Sequence, residues 1–489
     1  VAKFNKPAVG TKTVNLAGGN AYKQTDELAL VSHLLTSFVD DQYYRSQGQG
    51  LNDLASLIGG QKDKKFAAQA MVFARQEFGM RSVTHAGAAI LAPLISGQPW
   101  AKGFYSAVVR RPDDITEILS VYLNGQNRGK GSAPTLPHSM QKGLAAAFAK
   151  FNGYQLAKYR GEGKGIKLVD AVNILHPKPS EKNAGALKDL IAGKLVSTDT
   201  WEMELTQAGQ KATSDEEKAE FKKDVWVKLI RERKLGYFAL LRNLRNIIEQ
   251  APEIVTEAVA MLTDEALIKK SLVLPFRFQT AHDELTLVGG RLSREVLVGI
   301  GKALDISCAN VPKYDGDTLV VLDDSGSMNG KPFAIGSLFA AVLAKSNNAD
   351  IIMFGSLARW VNYNPNDTTI TIADGLRKNM LGGGTDFTAP FRLLMERQPT
   401  PKFARMIWLS DMQGWMRGGA PTQDFASYQV KSGCNPNIFS FDLAGHGTMQ
   451  FPEARVYCVA GFSEKVLDVM RLLEGDRQAL VNRIKKVEL

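Results

Sequence analysis

The stretch Val320–Gly330, VVLDDSGSMNG, ends an apolar run in a carboxylate, followed at two-residue spacing by two hydroxyls. Asp323, Ser325 and Ser327 thus place three hard oxygen donors in one loop. Two further segments offer the same chemistry: Thr385 follows three glycines in GGGTDF, and Asp411 ends the apolar run ARMIWLSD. Together the five residues suit Mg²⁺ or a similar dication, which takes about six oxygen ligands at roughly 2.0–2.1 Å and keeps some of its waters. Such a set leaves the ion open to an acidic ligand from elsewhere. Catalytic readings fit less well. Ser325 lacks a glycine–serine–glycine elbow and has no histidine close by in sequence. No lysine follows the glycines as a phosphate-binding loop requires, and two-metal phosphoryl chemistry wants carboxylate-rich ligation. A turn with polar caps is the alternative for Asp323–Ser327 alone, and Thr385 and Asp411 at matching strand ends weigh against it.

A second chemistry is carried by cations. Lys158, Arg160, Lys164 and Lys167 crowd ten residues, and His176 and Lys178 follow one helix later. Cations so placed give salt-dependent, sequence-tolerant contact with phosphates. Tyr159 and His176 offer flat faces on which unpaired bases stack. The competing roles are a packing position for Tyr159 and a helix C-cap before Pro177 for His176. Lys142 precedes a helix that is apolar on one side, so its charge is expected outside. Arg75, Arg81 and His85 form another candidate RNA-contact group. Arg110 and Arg111 stand beside Asp113 and Asp114, which can cap the next helix and pair with them. Arg242 and Arg245 share a helical face with Asn243 and Asn246, suited either to inter-helix hydrogen bonds or to RNA.

Positioning these groups requires two kinds of architecture. Residues 20–310 read as helix after helix, with apolar residues at spacings of three and four, short loops and almost no strand. Helical pairs stacked as a solenoid are the natural outcome. After about residue 315 the pattern changes to short β-branched runs (DTLVVLDDS, ADIIMFGS, TTITIAD, FARMIWLSDM, NIFSFDLAG, ARVYCVAG) alternating with helical stretches such as KVLDVMRLLEG. That alternation predicts a mostly parallel sheet with helices on both faces and its ligand site at the carboxyl ends of the strands. The chain therefore divides into an arm (1–19), a helical region (20–314) and an α/β region (315–489). Nearly all of the +10 formal charge falls on residues 1–310, while the remainder is close to neutral; local potential of that kind attracts polyanions. The charged stretch KATSDEEKAEFKKD (211–224) reads as a solvated helix or loop. The three cysteines are far apart and fit a reducing, cytoplasmic setting. No apolar stretch approaches the roughly 18 residues of a membrane span, and the N-terminus lacks a signal-peptide core.

With DDSGS, GGTD and SD in place, the C-terminal region resembles a von Willebrand factor A domain carrying a metal-ion-dependent adhesion site. KYRGEGKGIKLVDAVNILHPKPS (158–180), GYFALLRNLRNI (236–247) and, more loosely, LVLPFRF (272–278) resemble the TROVE module of Ro proteins, including bacterial ones. The resemblance implies a multidomain fold: an all-α ring of HEAT-like repeats bridged by a doubly wound, Rossmann-like A domain. It further implies a non-catalytic RNA-binding protein with Mg²⁺ or another divalent cation at the adhesion site. A small Y-like RNA would lie on the basic outer surface and gate access or tether a 3′ exoribonuclease. Single-stranded 3′ ends of misfolded RNAs would enter the central hole. Three departures stand out. Gln413 replaces an acid common two residues after the last metal-site aspartate, Leu274 replaces a frequent histidine, and GEGKG is one residue longer than usual. A reading of a different class is a metal-dependent protein-binding adaptor for an ATPase or other assembly.

Overall fold

The protein is described by a computed structural model covering all residues except 1–11, 24, 37–46, 126–134, 162–163, 196–200, 272, 274, 309–310, 419–420, 447, 452–455, 460–466, 468–469 and 471–478. Most of the expected arm, Leu274, part of GEGKG and most of KVLDVMRLLEG lie outside the described residues.

From Asp26–Thr36 to Gly290–Cys308 the chain is a succession of helices. Local chemistry starts them. Asp63 accepts hydrogen bonds from the N–H groups of Lys65 and Phe66 (2.9 and 3.2 Å) at the head of Lys64–Glu77. Such an N-cap stabilises a helix by about 1 kcal/mol. The charged stretch at 211–224 enters Asp215–Arg231, which has acids in its first turn and basic residues in its last. Both complement the helix dipole. Only Trp226, Leu229 and Ile230 of that helix are buried, so its charges stay in water.

The strands are β1 (Lys12–Val14), β2 (Asn20–Lys23), β3 (Thr318–Asp323), β4 (Asp350–Phe354), β5 (Ala358–Val361), β6 (Arg405–Ser410), β7 (Asn437–Asp442), β8 (Thr448–Met449) and β9 (Val456–Val459). A six-stranded sheet runs β5-β4-β3-β6-β7-β9, parallel except for the edge strand β5. Alternation sorts its side chains. Val320, Leu322, Ile407 and Leu409 face helices Lys331–Asn347 and Thr369–Lys378. Leu319, Val321, Met406 and Trp408 face Ala389–Glu396 and Thr422–Ser432. Both faces are covered, which is why β3 and β6 are buried from end to end.

One expected strand is a helix. TTITIAD enters Thr369–Lys378, because Thr368 accepts a hydrogen bond from the Thr371 N–H at 3.2 Å and Asp305 accepts from the Thr369 N–H at 2.9 Å. Its apolar residues then bury at helical spacing against Lys331–Asn347. β-Branching had suggested a strand; the caps and the neighbouring helix override it.

The α/β region holds both ends of the helical run. At the early end, Gln69 Nε2 donates to the carbonyls of Lys485 and Val487 (2.7 and 2.9 Å), and Lys485 pairs with Glu27 at 2.8 Å. A Cβ on Gly103 would lie 2.3 Å from the backbone carbonyl carbon of Leu489, so the close seat of Leu489 requires glycine there. At the late end, Arg377 pairs with Asp283 at 3.2 Å, and Asp305 caps the helix at 369. The chain thereby closes on itself. A hairpin of β1 and β2 extends to β8 in a separate antiparallel sheet, so residue 19 falls inside a hairpin that belongs with the α/β region.

Candidate metal centre and nucleic-acid interface

Asp323 ends β3, and its Oδ1 accepts from the Ser325 N–H at 2.9 Å while its Oδ2 accepts from Ser410 Oγ at 2.5 Å. Ser325 Oγ and Ser327 Oγ stand 3.3 Å apart. The glycine-rich loop is tied to the same edge: the Gly326 N–H donates to the Gly383 carbonyl at 3.0 Å and the Asp386 N–H to the Gly355 carbonyl at 2.9 Å. Thr385 is buried between these ties. It precedes the helix Ala389–Glu396 by four residues, and between the two Asp386 Oδ1 accepts from the Thr388 N–H at 3.0 Å. Asp411 follows β6, where its Oδ1 accepts from the Gln413 N–H at 3.1 Å and its Oδ2 is buried with no hydrogen-bond partner. All five expected donors therefore converge on one sheet edge.

Electrostatics distinguish this cluster from a capped turn. Burial pushes the Asp323 and Asp411 carboxyls above the usual range, and the Asp323 charge pushes Asp411 further. Among the described residues, neither has a cationic side chain bonded to it. Two buried acids, one with an orphaned oxygen, beside two facing hydroxyls form a donor set that fits a hard cation. Among the described residues no group of three or more His, Cys, Asp or Glu side chains could hold a metal, so a softer, nitrogen- or sulfur-rich centre has no counterpart there. Ser410 was not foreseen; it lies in the same SD pair as Asp411.

The cationic residues fall into two groups. Lys142, Lys158, Lys164, Lys167, His176 and Lys178 are exposed. His176 adopts the left-handed conformation (φ 48°) as the C-cap of Leu168–Leu175, and its ring faces outward, so it serves as a cap without leaving the surface. Arg160 is half-buried and donates to the Leu195 carbonyl at 2.7 Å. The guanidinium of Arg111 lies 4.4 Å from the centroid of the half-buried Tyr159 ring. Arg111 also lines a cavity of about 480 Å³ with Arg242, Arg245, Arg277, Phe238 and Glu284. The exposed basic stretch and the cavity thus adjoin at Tyr159. Arg111 was expected only as part of a separate basic group paired with Asp113, as it is at 2.6 Å, and Arg277 was not foreseen, because only the fold brings residues 111 and 277 to the helix Tyr237–Gln250.

Arg75, Arg81 and His85 require correction. Arg75 is buried and bonds Asp114 through Nε and Nη2, the shortest contact being 2.8 Å. His85 is buried between Asp114 (3.1 Å from Nε2) and Glu117, whose Oε2 stands 2.8 Å from Nδ1 as an ion pair rather than an aligned hydrogen bond. Arg81 pairs with Asp113, Asp114 and Glu117 at 2.9–3.3 Å. These cations are paired with acids of the helix Pro112–Asn124, and the burial of Arg75 and His85 makes those two structural ties between helices, while Arg81 keeps part of its side chain at the surface. Burial works against charge on His85, but the neighbouring Asp114 and Glu117 carboxylates raise its pKa overall. Burial likewise opposes ionisation of Asp114, yet His85 and Arg75 hold it well below the carboxylate range.

A family model described as the TROVE domain matches residues 29–188 and 176–299, more than half of the chain. The chain belongs to the TROVE-domain family. This TROVE protein is 24% identical over 345 residues to telomerase protein component 1 of Mus musculus, a match spanning 54% of this chain and 12% of the mouse protein. The Rattus norvegicus counterpart is 24% identical over 310 residues, 47% of this chain and 11% of the rat protein. The chain thus corresponds to a small part of these curated relatives. The crystal structure of the Deinococcus radiodurans RO (RSR) protein superposes with a TM-score of 0.61 at 18% identity, covering 91% of this chain and 99% of that one. At that identity the likeness is one of fold, and it extends over both the helical and the α/β regions.

Proposed function

We propose that this TROVE protein acts in the manner of Ro proteins. A small, structured, Y-like RNA lies across the surface of Lys142, Lys158, Lys164, Lys167, His176 and Lys178. Single-stranded 3′ ends of misfolded RNAs reach the arginine-lined cavity and a central hole through the helices. The observation that carries the reading is the continuity at Tyr159. An aromatic ring stacked by Arg111 joins an exposed row of cations to a pocket holding Arg242, Arg245 and Arg277. Cations track a backbone and flat groups stack on bases, a pairing that suits RNA with frayed ends. A 3′ exoribonuclease is the partner expected for the bound RNAs. The α/β region serves as a von Willebrand factor A domain, with Asp323, Ser325, Ser327, Thr385 and Asp411 holding Mg²⁺ or another divalent cation. A reducing cytoplasm is the expected setting; no helix among the described residues is long and apolar enough to cross a membrane.

The test is to purify the protein from its native cells without nuclease, record the 260/280 nm absorbance ratio and sequence the copurifying RNA. A discrete small RNA, lost in high salt and in a Lys158→Glu, His176→Glu variant, is expected. A clean protein that also ignores 3′-tailed RNAs at low salt overturns the reading.

One observation favours a second reading, a metal-dependent protein-binding adaptor. Leu357, Leu381 and Trp415 are 76%, 75% and 49% exposed on loops around the candidate metal edge. An apolar rim there suits a protein segment better than a phosphate backbone. On that reading loss of Asp323 abolishes partner capture, whereas RNA binding survives it.

A further inference from the structure

The N-terminal hairpin and the metal edge are far apart in sequence, yet they meet at one buried side chain. Gln413 is fully buried, two residues beyond Asp411. Its Oε1 accepts hydrogen bonds from the N–H groups of Leu16 and Ala17, at 2.7 and 3.3 Å. Its Nε2 donates to the Asp411 carbonyl (3.2 Å) and contacts Thr448 Oγ1 (3.3 Å) in β8, while its backbone N–H donates to the Asp411 carboxylate at 3.1 Å.

The hairpin is fitted to this loop at two further points. Asn15 Nδ2 donates to the Gly414 carbonyl at 2.6 Å, and Asn15 Oδ1 accepts from the Gly19 N–H at 2.9 Å, which shapes the turn. A Cβ on Gly19 would lie 2.0 Å from the Gly414 carbonyl oxygen and 2.6 Å from the Trp415 Cα, so only glycine allows the turn this close. From the far side, Gln450 Nε2 and Thr448 Oγ1 donate to the Met412 carbonyl at 2.8 and 3.3 Å. Because β2 pairs with β8, the small sheet β1-β2-β8 brackets residues 412–415 from both sides.

We propose that the N-terminal hairpin, residues 12–23, is a clamp that fixes the loop after β6 through Gln413. Gln413 is then a positioning residue for the cation that Asp411 would hold. The inference rests on the metal reading above. The amide is suited to this place because it accepts from two backbone N–H groups with one atom and donates with the other. Releasing the hairpin leaves Oε1 buried and unpaired, and the loop loses the contacts that aim Asp411. Partners that orient a ligand from behind govern metal affinity nearly as strongly as the ligand itself.

The experiment is Mn²⁺ binding to the full chain, followed by the paramagnetic resonance signal of the free ion, with thermal melting in parallel. Gly19→Ala and Gln413→Ala are expected to weaken Mn²⁺ binding by roughly tenfold. Gln413→Glu keeps an acceptor for both N–H groups and binds at least as tightly as wild type, a rescue that a loss of general stability does not produce. Asn15→Ala, which deletes one side chain of the turn, gives the same weakening and serves if Gly19→Ala does not fold. Lys158→Glu leaves Mn²⁺ binding unchanged. If wild type binds Mn²⁺ through Asp411 and the hairpin variants bind it equally well, the clamp is overturned while the metal centre stands. If wild type binds no Mn²⁺, or Asp411→Asn binds it as wild type does, the metal reading fails and takes the clamp with it.

Discussion

Asp114, in the first turn of the helix Pro112–Asn124, and Asp411, just after β6, are both buried carboxylates, and their surroundings are opposite. Asp114 is saturated: Arg75 bonds both oxygens, Arg81 and His85 share Oδ1, and the N–H groups of Arg110 and Arg111 both donate to Oδ2 at 2.9 Å. Asp411 has the Gln413 N–H and the Ser327 hydroxyl as its neutral donors, no cationic partner among the described residues, and a second acid close enough to push its pKa up. The first arrangement completes its own charge balance and behaves as a keystone. The second has no counter-charge among the described residues, the gap that the proposed cation would fill. Burial of an acid therefore signals a binding site only where its partners are missing.

The largest effect that separates the two is expected from Asp114→Asn. It leaves Arg75 and His85 buried without their counter-charge and costs about 3–5 kcal/mol, as removal of one member of a buried ion pair does. Urea unfolding measures this. Asp411→Asn should leave stability unchanged or raise it, since it relieves repulsion between two acids; equal losses in the two variants erase the distinction.

The pH dependence of the two sites also runs in opposite senses. Asp114 and Glu117 have lowered pKa values, Glu117 to about 2 through His85 and Lys164 acting against burial. Their stabilisation is present above the ordinary carboxylate range and is lost as pH falls, for Glu117 between 4.5 and about 2. His85, with a raised pKa, contributes below its unfolded value near 6.5 and loses that contribution as pH rises through its folded value. Asp323 and Asp411 have raised values, so the metal-free fold loses stability as pH rises through them. Mg²⁺ should reverse that loss. At a hundredfold excess over its dissociation constant it adds about 2.7 kcal/mol at pH 8 and much less at pH 5, and Asp411→Asn should abolish the gain. Thermal melts across pH with and without Mg²⁺ decide it.

Smaller effects test the two sets of cations. Lys158→Ala should lower the salt dependence of RNA affinity by about 0.7–0.9 in logarithmic slope, one phosphate contact. Arg75→Lys should destabilise the fold and leave that slope alone. The smallest change is Lys164→Ala: its 3.0 Å pair with Glu117 is 45% exposed on the lysine side and is worth about 0.2–1 kcal/mol. If Lys164→Ala destabilises the fold as much as Asp114→Asn, Lys164 belongs with the buried network and not with the RNA surface.

Much of this architecture was legible because it is written in short-range periodicity. Helical spacing between 26 and 308, and β-branched runs at β3, β4, β6 and β7, report what a segment must bury against its immediate neighbours. The convergence of the oxygen donors was legible for a related reason. A parallel sheet puts the ends of β3 and β6 side by side, so DxSxS and SD meet wherever both are strands. What escaped notice depends on distant partners. TTITIAD carries strand-like residues but receives its cap from Asp305. Arg75 and His85 look like surface cations until Asp113, Asp114 and Glu117 arrive on the helix Pro112–Asn124. The β1–β2 hairpin has too few residues to announce itself, and Gln413 looked like a lost acid.

The amino-acid order by itself determined the two classes of region, the oxygen-donor set at the sheet edge and the concentration of positive charge in the first 310 residues. Each follows from residue type and local spacing. Which cations face water, and which are consumed by buried acids, was decided only in three dimensions. A charge becomes structural or available according to the counter-charges that fold against it. The same holds for Gln413, whose hydrogen bonds come from residues 16, 17 and 448, beyond the reach of any local pattern.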